Sequence, residues 1–382
     1  MVWSSPEEDV ARAHAAIVQA AAPHITTPEK LEKLKRYLAS DEYVGALDAA
    51  IKEEVLETVP RMVELLKGKA PAMLRRYRRD MRRFERRLYE AWSRPLDLLE
   101  ALWVACAEVG PGLSAAWPWK ESDGDDLVFD VLRRLQGRGC QVMGEVLTLL
   151  RSGYAPAAHA RWRTLHETTV TASFIAEHGK EVAEQYRLHE YVESCAAVEL
   201  YQKHCARLGQ TPYTDEEVTT ARAARDEVVA RFNPRFADPY GWAAAALGRT
   251  GKKDKKVTIA DIEAAVELDH WRPYYKMASH SVHANPKAIT FSLALKTGDE
   301  TILTGPSILG LTDPGHAAAI SLYQVTTVLM MRRPGTDSLV TAKALGAIVD
   351  EIGAEFLAAS KALKARATET GDSQSASEDE EE

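Results

Sequence analysis

Apolar residues recur at three- and four-residue spacing through most of the chain, the period of an amphipathic helix rather than a strand. "TTPEKLEKLKRYLAS" opens with Thr27 as a capping residue and Pro28 suited to a first helical turn. "YVGALDAAIKEEVLETVPRMVELLKG" continues as helix, with a kink or restart expected at Pro60. In "PAMLRRYRRDMRRFERRLYEAW" the residues Leu74, Tyr77, Met81, Phe84 and Leu88 form a heptad-like stripe, with arginines filling the other positions. The polar stretch "WPWKESDGDDL", residues 117–127, interrupts this pattern and marks the expected domain boundary.

Four helices are predicted after the break. The first ends at Gly153 as a C-cap, and Pro156 opens the second, which Gly179 ends. The third runs to Gly209, and the fourth starts at Thr214 with Glu217 three residues on, a capping-box spacing. "TIADIEAAVEL" reads as a short helix capped by Thr258. "AITFSLALKTGDETILTGPS" alternates around a Gly-Asp turn and suggests a small β-hairpin near 288–305. Two more helices follow, and the tail "GDSQSASEDEEE" is disordered by composition. The expectation is an all-α protein: an N-terminal helical region, residues 1–120, with a basic amphipathic helix at 74–92; a helical-bundle domain, residues 125–365; and an acidic tail, residues 366–382.

Composition narrows the function classes. The 382 residues carry a net charge of −8, so attraction to nucleic acid or an anionic membrane would need a local basic patch. Cys106, Cys140, Cys195 and Cys205 show no paired spacing, which argues against a zinc ribbon or a disulfide framework and favours a cytoplasmic setting. The N-terminus lacks the pattern of a secretion signal, and no stretch reaches the roughly 18 uninterrupted apolar residues of a membrane span, so no membrane partner is expected. P-loop, dinucleotide-binding, nucleophile-elbow and kinase signatures are missing.

Candidate chemistry gathers in "AHARWRTLHETT", residues 158–169. On a helix Arg163 and Glu167 share a face, with His159 one turn before Arg163 and His166 near it. His189 and Glu193 are again four apart on the next helix. "WRPYYKMASHSVHANP" supplies Arg272, Tyr274, Tyr275, Ser279, His280 and His283. Should these helices pack together, Arg163, Glu167, His189, Ser279 and His283 would form one pocket, with Tyr154 and Tyr275 on its wall. Such a cluster can be buried only if its charges are paired.

The motifs "SGYAPAAHARWRTLHE" and "YYKMASHSVHANP" resemble the landmarks of a bacterial family, domain-of-unknown-function family 5677. Those landmarks are a Gly-Tyr start (Gly153, Tyr154), an Arg-x-x-x-Glu pair (Arg163, Glu167) and a Tyr-x-x-x-Ser-x-x-x-His element (Tyr275, Ser279, His283). The resemblance covers roughly residues 125–345; it implies an all-helical fold and no established activity.

Three readings follow. Arg161-x4-His166 is similar to the signature of HEPN-type ribonucleases, helical toxins or phage-defence effectors that act without a metal. The histidine would move the 2′-hydroxyl proton and the arginine would stabilise the phosphorane, while the basic helix held RNA. However, Trp162 stands where that signature carries a polar residue. A metal site could draw on His159, His166, Glu167, His189, Glu193, His280 and His283, although no HExxH or paired Glu-x-x-His is present. The third reading is a helical interaction or regulatory protein without a cofactor. In it Arg163–Glu167 is an internal ion pair, and the basic helix, with Arg75, Arg79 and Arg83, contacts a protein partner or a second copy.

Overall fold

The computed structural model describes residues 27–38, 40–116, 124–290, 292–295 and 302–378, and these contain no strand. Residues 1–26, the start of the expected N-terminal helical region, lie outside them. The α-helices are α1 (Pro28–Leu38), α2 (Asp41–Ala116), α3 (Gly124–Arg151), α4 (Ala155–His178), α5 (Lys180–Leu188) and α6 (Glu190–His204). They continue with α7 (Asp215–Arg231), α8 (Ile259–Ala265), α9 (Arg272–His280), α10 (Pro286–Thr290), α11 (Thr312–Met330) and α12 (Thr336–Glu378).

The chain divides into two compact units, Met1–Arg82 and Arg83–Glu382. The division therefore falls within α2, not at the polar break after it, because the last third of α2 carries a core stripe. Leu88, Trp92, Leu99, Leu102 and Cys106 are all buried in the cluster that fills the second unit. In the first unit, Leu38 and Tyr43 are buried at the α1–α2 turn, and Tyr37 meets Tyr43 edge-on with ring centroids 5.6 Å apart. Residues 53–82 of α2 are exposed except for half-buried Thr58, Ala70 and Met81.

Helix α2 passes through Pro60 without restarting. Glu, Leu and Met, good helix formers, flank the proline, and extending a formed helix is easier than nucleating a second. By length and composition alone the segment Glu53–Ala116 could also cross a membrane; Leu99, Leu102 and Cys106 on it are buried against protein, but only 22% of its apolar window is.

In the second unit α3, α4 and α11 pack on one another, and α12 packs on α11. Ala342, Leu345, Val349, Ile352 and Phe356 of α12 alternate at three and four residues, and all are buried. The α3–α4 turn is a Schellman motif: Tyr154 N–H donates to Leu149 O (2.8 Å) and Gly153 N–H to Leu150 O (3.0 Å). Gly153 has φ +78°, and a Cβ there would lie 2.6 Å from the Phe84 ring and 2.8 Å from Ser307 O, so only glycine fits. Its own carbonyl accepts from Ser307 N–H at 2.9 Å.

The expected capping boxes form at Thr214–Glu217 and Thr258–Asp261. The helix expected to run to Gly209 breaks at His189 into α5 and α6, and a 3-10 turn, Cys205–Leu208, precedes the left-handed Gly209. Of the hairpin expected near 288–305, residues 291 and 296–301 lie outside the described ones. Its first residues belong instead to the helix Pro286–Thr290, started where Asn285 Oδ1 accepts from Ala288 N–H (3.0 Å), and residues 292–295 and 302–305 carry no strand. The tail is corrected in part: α12 extends to Glu378, continuing a long Ala- and Lys-rich helix, while residues 379–382 lie outside the described ones.

Candidate functional site

Helix α4 carries alternating apolar and polar residues whose surroundings differ sharply by face. Trp162 is fully buried, and its indole N–H donates to Ser321 Oγ on α11 at 3.0 Å. His159 stacks on Trp162 with ring centroids 5.3 Å apart, and among the described residues its Nε2 finds no hydrogen-bond partner. Burial alone holds its pKa down at about 4, so this imidazole is neutral.

His166 and Glu263 are also sealed from solvent. His166 Nε2 lies 3.1 Å from Glu263 Oε1, and the other oxygen of Glu263 pairs with the Arg272 guanidinium. A carboxylate this deep is tolerable only with such partners. It ties α4, α8 and the start of α9 together.

One turn outward, Arg163 Nε donates to Glu167 Oε1 at 3.1 Å, and the Tyr275 hydroxyl donates to the same oxygen. The Arg163 and Arg272 guanidinium carbons lie 4.6 and 4.9 Å from the Tyr275 ring centre. Burial, then the hydrogen bond and charge of Glu167, drive the Tyr275 pKa well above the usual phenol range. Tyr240 is pushed the same way by burial and by Glu167, which places it within the field of this cluster. Tyr275 is therefore a hydrogen-bond donor, not a base.

The remaining residues that the sequence singled out go elsewhere. The Ser279 hydroxyl is spent on Tyr275 O at 2.9 Å, one turn back on its own helix. His283 is exposed beyond the end of α9 and, among the described residues, its ring has no hydrogen-bond or charged partner. His189 is buried with Nε2 2.9 Å from Asp238 O and Nδ1 3.4 Å from Glu193. It lines a separate cleft of about 350 Å³ with Arg134, Arg138, Arg187, Glu190 and Glu193. Tyr154 is exposed, and its backbone N–H closes the α3–α4 turn. Arg161 is engaged by Glu145 of α3 and by Thr164 Oγ1 (3.1 Å). Residues five apart sit roughly 140° around a helix, so Arg161 and His166 face different neighbours. Among the described residues no three of His, Cys, Asp and Glu are placed to hold a metal ion. Arg75, Arg78, Arg79 and Arg82 line an open groove in the first unit, whereas Arg83 belongs to the second.

Glu263 and Arg272 carry the network, and Glu263 is the residue the sequence reading did not single out. Its signal is there: Ile259, Ile262 and Val266 sit at i, i+3 and i+7, and Glu263 at i+4 shares their apolar face.

The second unit is thus an all-helical domain whose interior charges are matched. Residues 129–301 within it match the model of a family of unknown function (DUF5677), the family whose landmarks the sequence resembles. No curated protein and no solved structure matches the chain significantly.

Proposed function

We propose that this chain is a helical interaction protein rather than an enzyme, and that its contact surface is the exposed stretch of α2, residues 53–82. One observation carries this reading. Ten large apolar side chains between Val55 and Tyr77 are exposed, Leu56 at 75% and Met73 at 60%, on a helix too long to be an incidental protrusion. The polar cluster around Arg163 supports the same reading from the other side. Its members are spent on each other, as rivets between α4, α8 and α9 would be.

The ribonuclease reading draws less support, since Arg161 is engaged by Glu145 and His166 by Glu263. RNA binding without cleavage remains the second reading, favoured by the groove of Arg75, Arg78, Arg79 and Arg82, none of which has a carboxylate partner among the described residues. The test is capture of partners by the tagged full chain from cells that express it, against the variant Arg75→Glu/Arg78→Glu/Arg79→Glu/Arg82→Glu. The interaction reading expects protein partners to be lost with the charge. Capture that is unchanged, or RNA alone lost on nuclease treatment, would overturn it.

A further inference from the structure

We infer that the cleft beside His189 binds a free α-amino acid with a large apolar side chain. The cleft lies wholly in the second unit, and its volume of about 350 Å³ suits a small molecule. Its walls carry charge of both signs: α3 supplies Arg134 and Arg138, and the α5–α6 wall supplies Arg187, Glu190 and Glu193. A simple anion would meet the two glutamates there, and a simple cation would meet three guanidiniums. The ligand that fits carries both charges.

Which of these charges are free decides how the ligand sits. Arg134 Nε donates to Asp130 at 2.8 Å, Arg138 donates to Gln141 at 2.6 Å, and Glu193 lies 3.4 Å from His189 Nδ1. Arg187 and Glu190 are exposed, and among the described residues neither side chain has an ionic or hydrogen-bonding partner. They are three residues apart, and His189 between them keeps helical angles (φ −63°, ψ −19°), so their side chains lie about one turn apart on one wall. An α-amino acid carries its carboxylate and its ammonium on one carbon, so the two groups can meet Arg187 and Glu190 together. A zwitterion with its charges at the ends of a long chain does not match that spacing.

The floor selects the side chain. Val131 and Leu135 are buried, Trp242 is 4% exposed, and the Tyr186 ring meets Trp242 edge-on with centroids 5.1 Å apart. An aliphatic or aromatic side chain laid there leaves water for a surface that is already apolar. The Tyr186 hydroxyl has no hydrogen-bond partner among the described residues. Burial, then the charge of Glu193, raises its pKa, so it stays protonated and remains a donor left over for the ligand.

Calorimetric titration of the full chain with phenylalanine tests this, against glycine, hydrocinnamate (which lacks the ammonium) and phenethylamine (which lacks the carboxylate). Phenylalanine should bind, and glycine, which leaves the floor bare, should bind on the order of tenfold more weakly or worse. Each one-charge analogue should also bind about tenfold more weakly, the ratio that one charge-assisted hydrogen bond supports. Two variants assign the charges. Arg187→Gln should bring phenylalanine down to the level of phenethylamine, and Glu190→Gln down to that of hydrocinnamate. Both side chains are exposed and unpaired, so thermal unfolding of either variant should match that of the unaltered chain. No binding of phenylalanine, tryptophan or leucine up to their solubility limits would overturn the inference. Equal affinity for phenylalanine and hydrocinnamate would make this an anion site and overturn it too, as would variants that bind phenylalanine unchanged.

Discussion

Helix α2 contains the same kind of pattern twice, and the two copies meet opposite fates. Between Leu88 and Cys106 the stripe Leu88, Trp92, Leu99, Leu102 and Cys106 is sealed in the core, Trp92 against Phe356 with ring centroids 5.8 Å apart. From Leu56 to Tyr77 comparable positions face water. Local propensity treats the stretches alike, since either builds a good amphipathic helix. What separates them is whether another element of the chain supplies the other half of the seam. The polar residues divide in parallel. In the core, Glu263 meets His166 and Arg272, while on the exposed stretch Arg75, Arg78, Arg79 and Arg82 meet no carboxylate among the described residues. A sealed charge is evidence of architecture; the unmatched ones belong to the stretch proposed above as a contact surface.

The largest break in this contrast should come at Glu263. Glu263→Ala leaves the Arg272 guanidinium and the His166 ring without their shared acceptor, at a cost of about 3–5 kcal/mol. Urea denaturation would measure it, and a loss under about 1 kcal/mol would mean that the pair is not the rivet described.

His159 gives the next largest effect, and only in acid. Its imidazole takes a proton near pH 6.5 in the unfolded chain but only at about 4 when folded. The unfolded state therefore binds more protons between these values, and stability falls as the pH drops through the window, by about 3 kcal/mol in full. His316, held down mainly by burial, adds to the slope in the same direction. His159→Phe should flatten most of the decline; an unchanged pH profile would mean that His159 is protonated in the fold. Tyr275→Phe should cost less, about 1–2 kcal/mol, because Glu167 keeps its bond to Arg163 when the phenol is removed.

Much of this fold is legible in the residues. Thr214 with Glu217, Thr258 with Asp261 and Gly153 at its helix end are local devices, settled within a few residues, and each forms as its spacing predicts. So does the Arg163–Glu167 pair, which lies on one helix. The Tyr275 contribution, 108 residues beyond Glu167, was suggested by its chemistry and is realised by α9 packing on α4. His189 and His283 had the same chemistry, yet one faces Asp238 and the other faces water, because tertiary packing alone decides which side of a helix meets which neighbour. The stretch near 288–305 misleads for a related reason. Alternation is a strand signal only where a second strand can pair with it, and at its start Asn285 caps the helix Pro286–Thr290, which takes residues 288–290 out of the pattern.

The smallest expected effect on stability tests the comparison most directly. Seven of the eight tryptophans lie beyond residue 82, so their fluorescence follows the second unit almost alone. Leu66 is half exposed and Arg78 lines an open groove, both in the first unit. In dilute solution, where any association is reversed, Leu66→Glu/Arg78→Glu should shift the tryptophan-monitored unfolding free energy by less than about 0.5 kcal/mol. The same two substitutions in the buried stretch, at Leu99 and Trp92, would each cost several kcal/mol by burying a charge or emptying a site. If the exposed pair destabilised the core comparably, the contrast between the two stretches of α2 would collapse. The apolar residues from 56 to 77 would then be packing positions, and the search for a partner outside the chain would lose its reason.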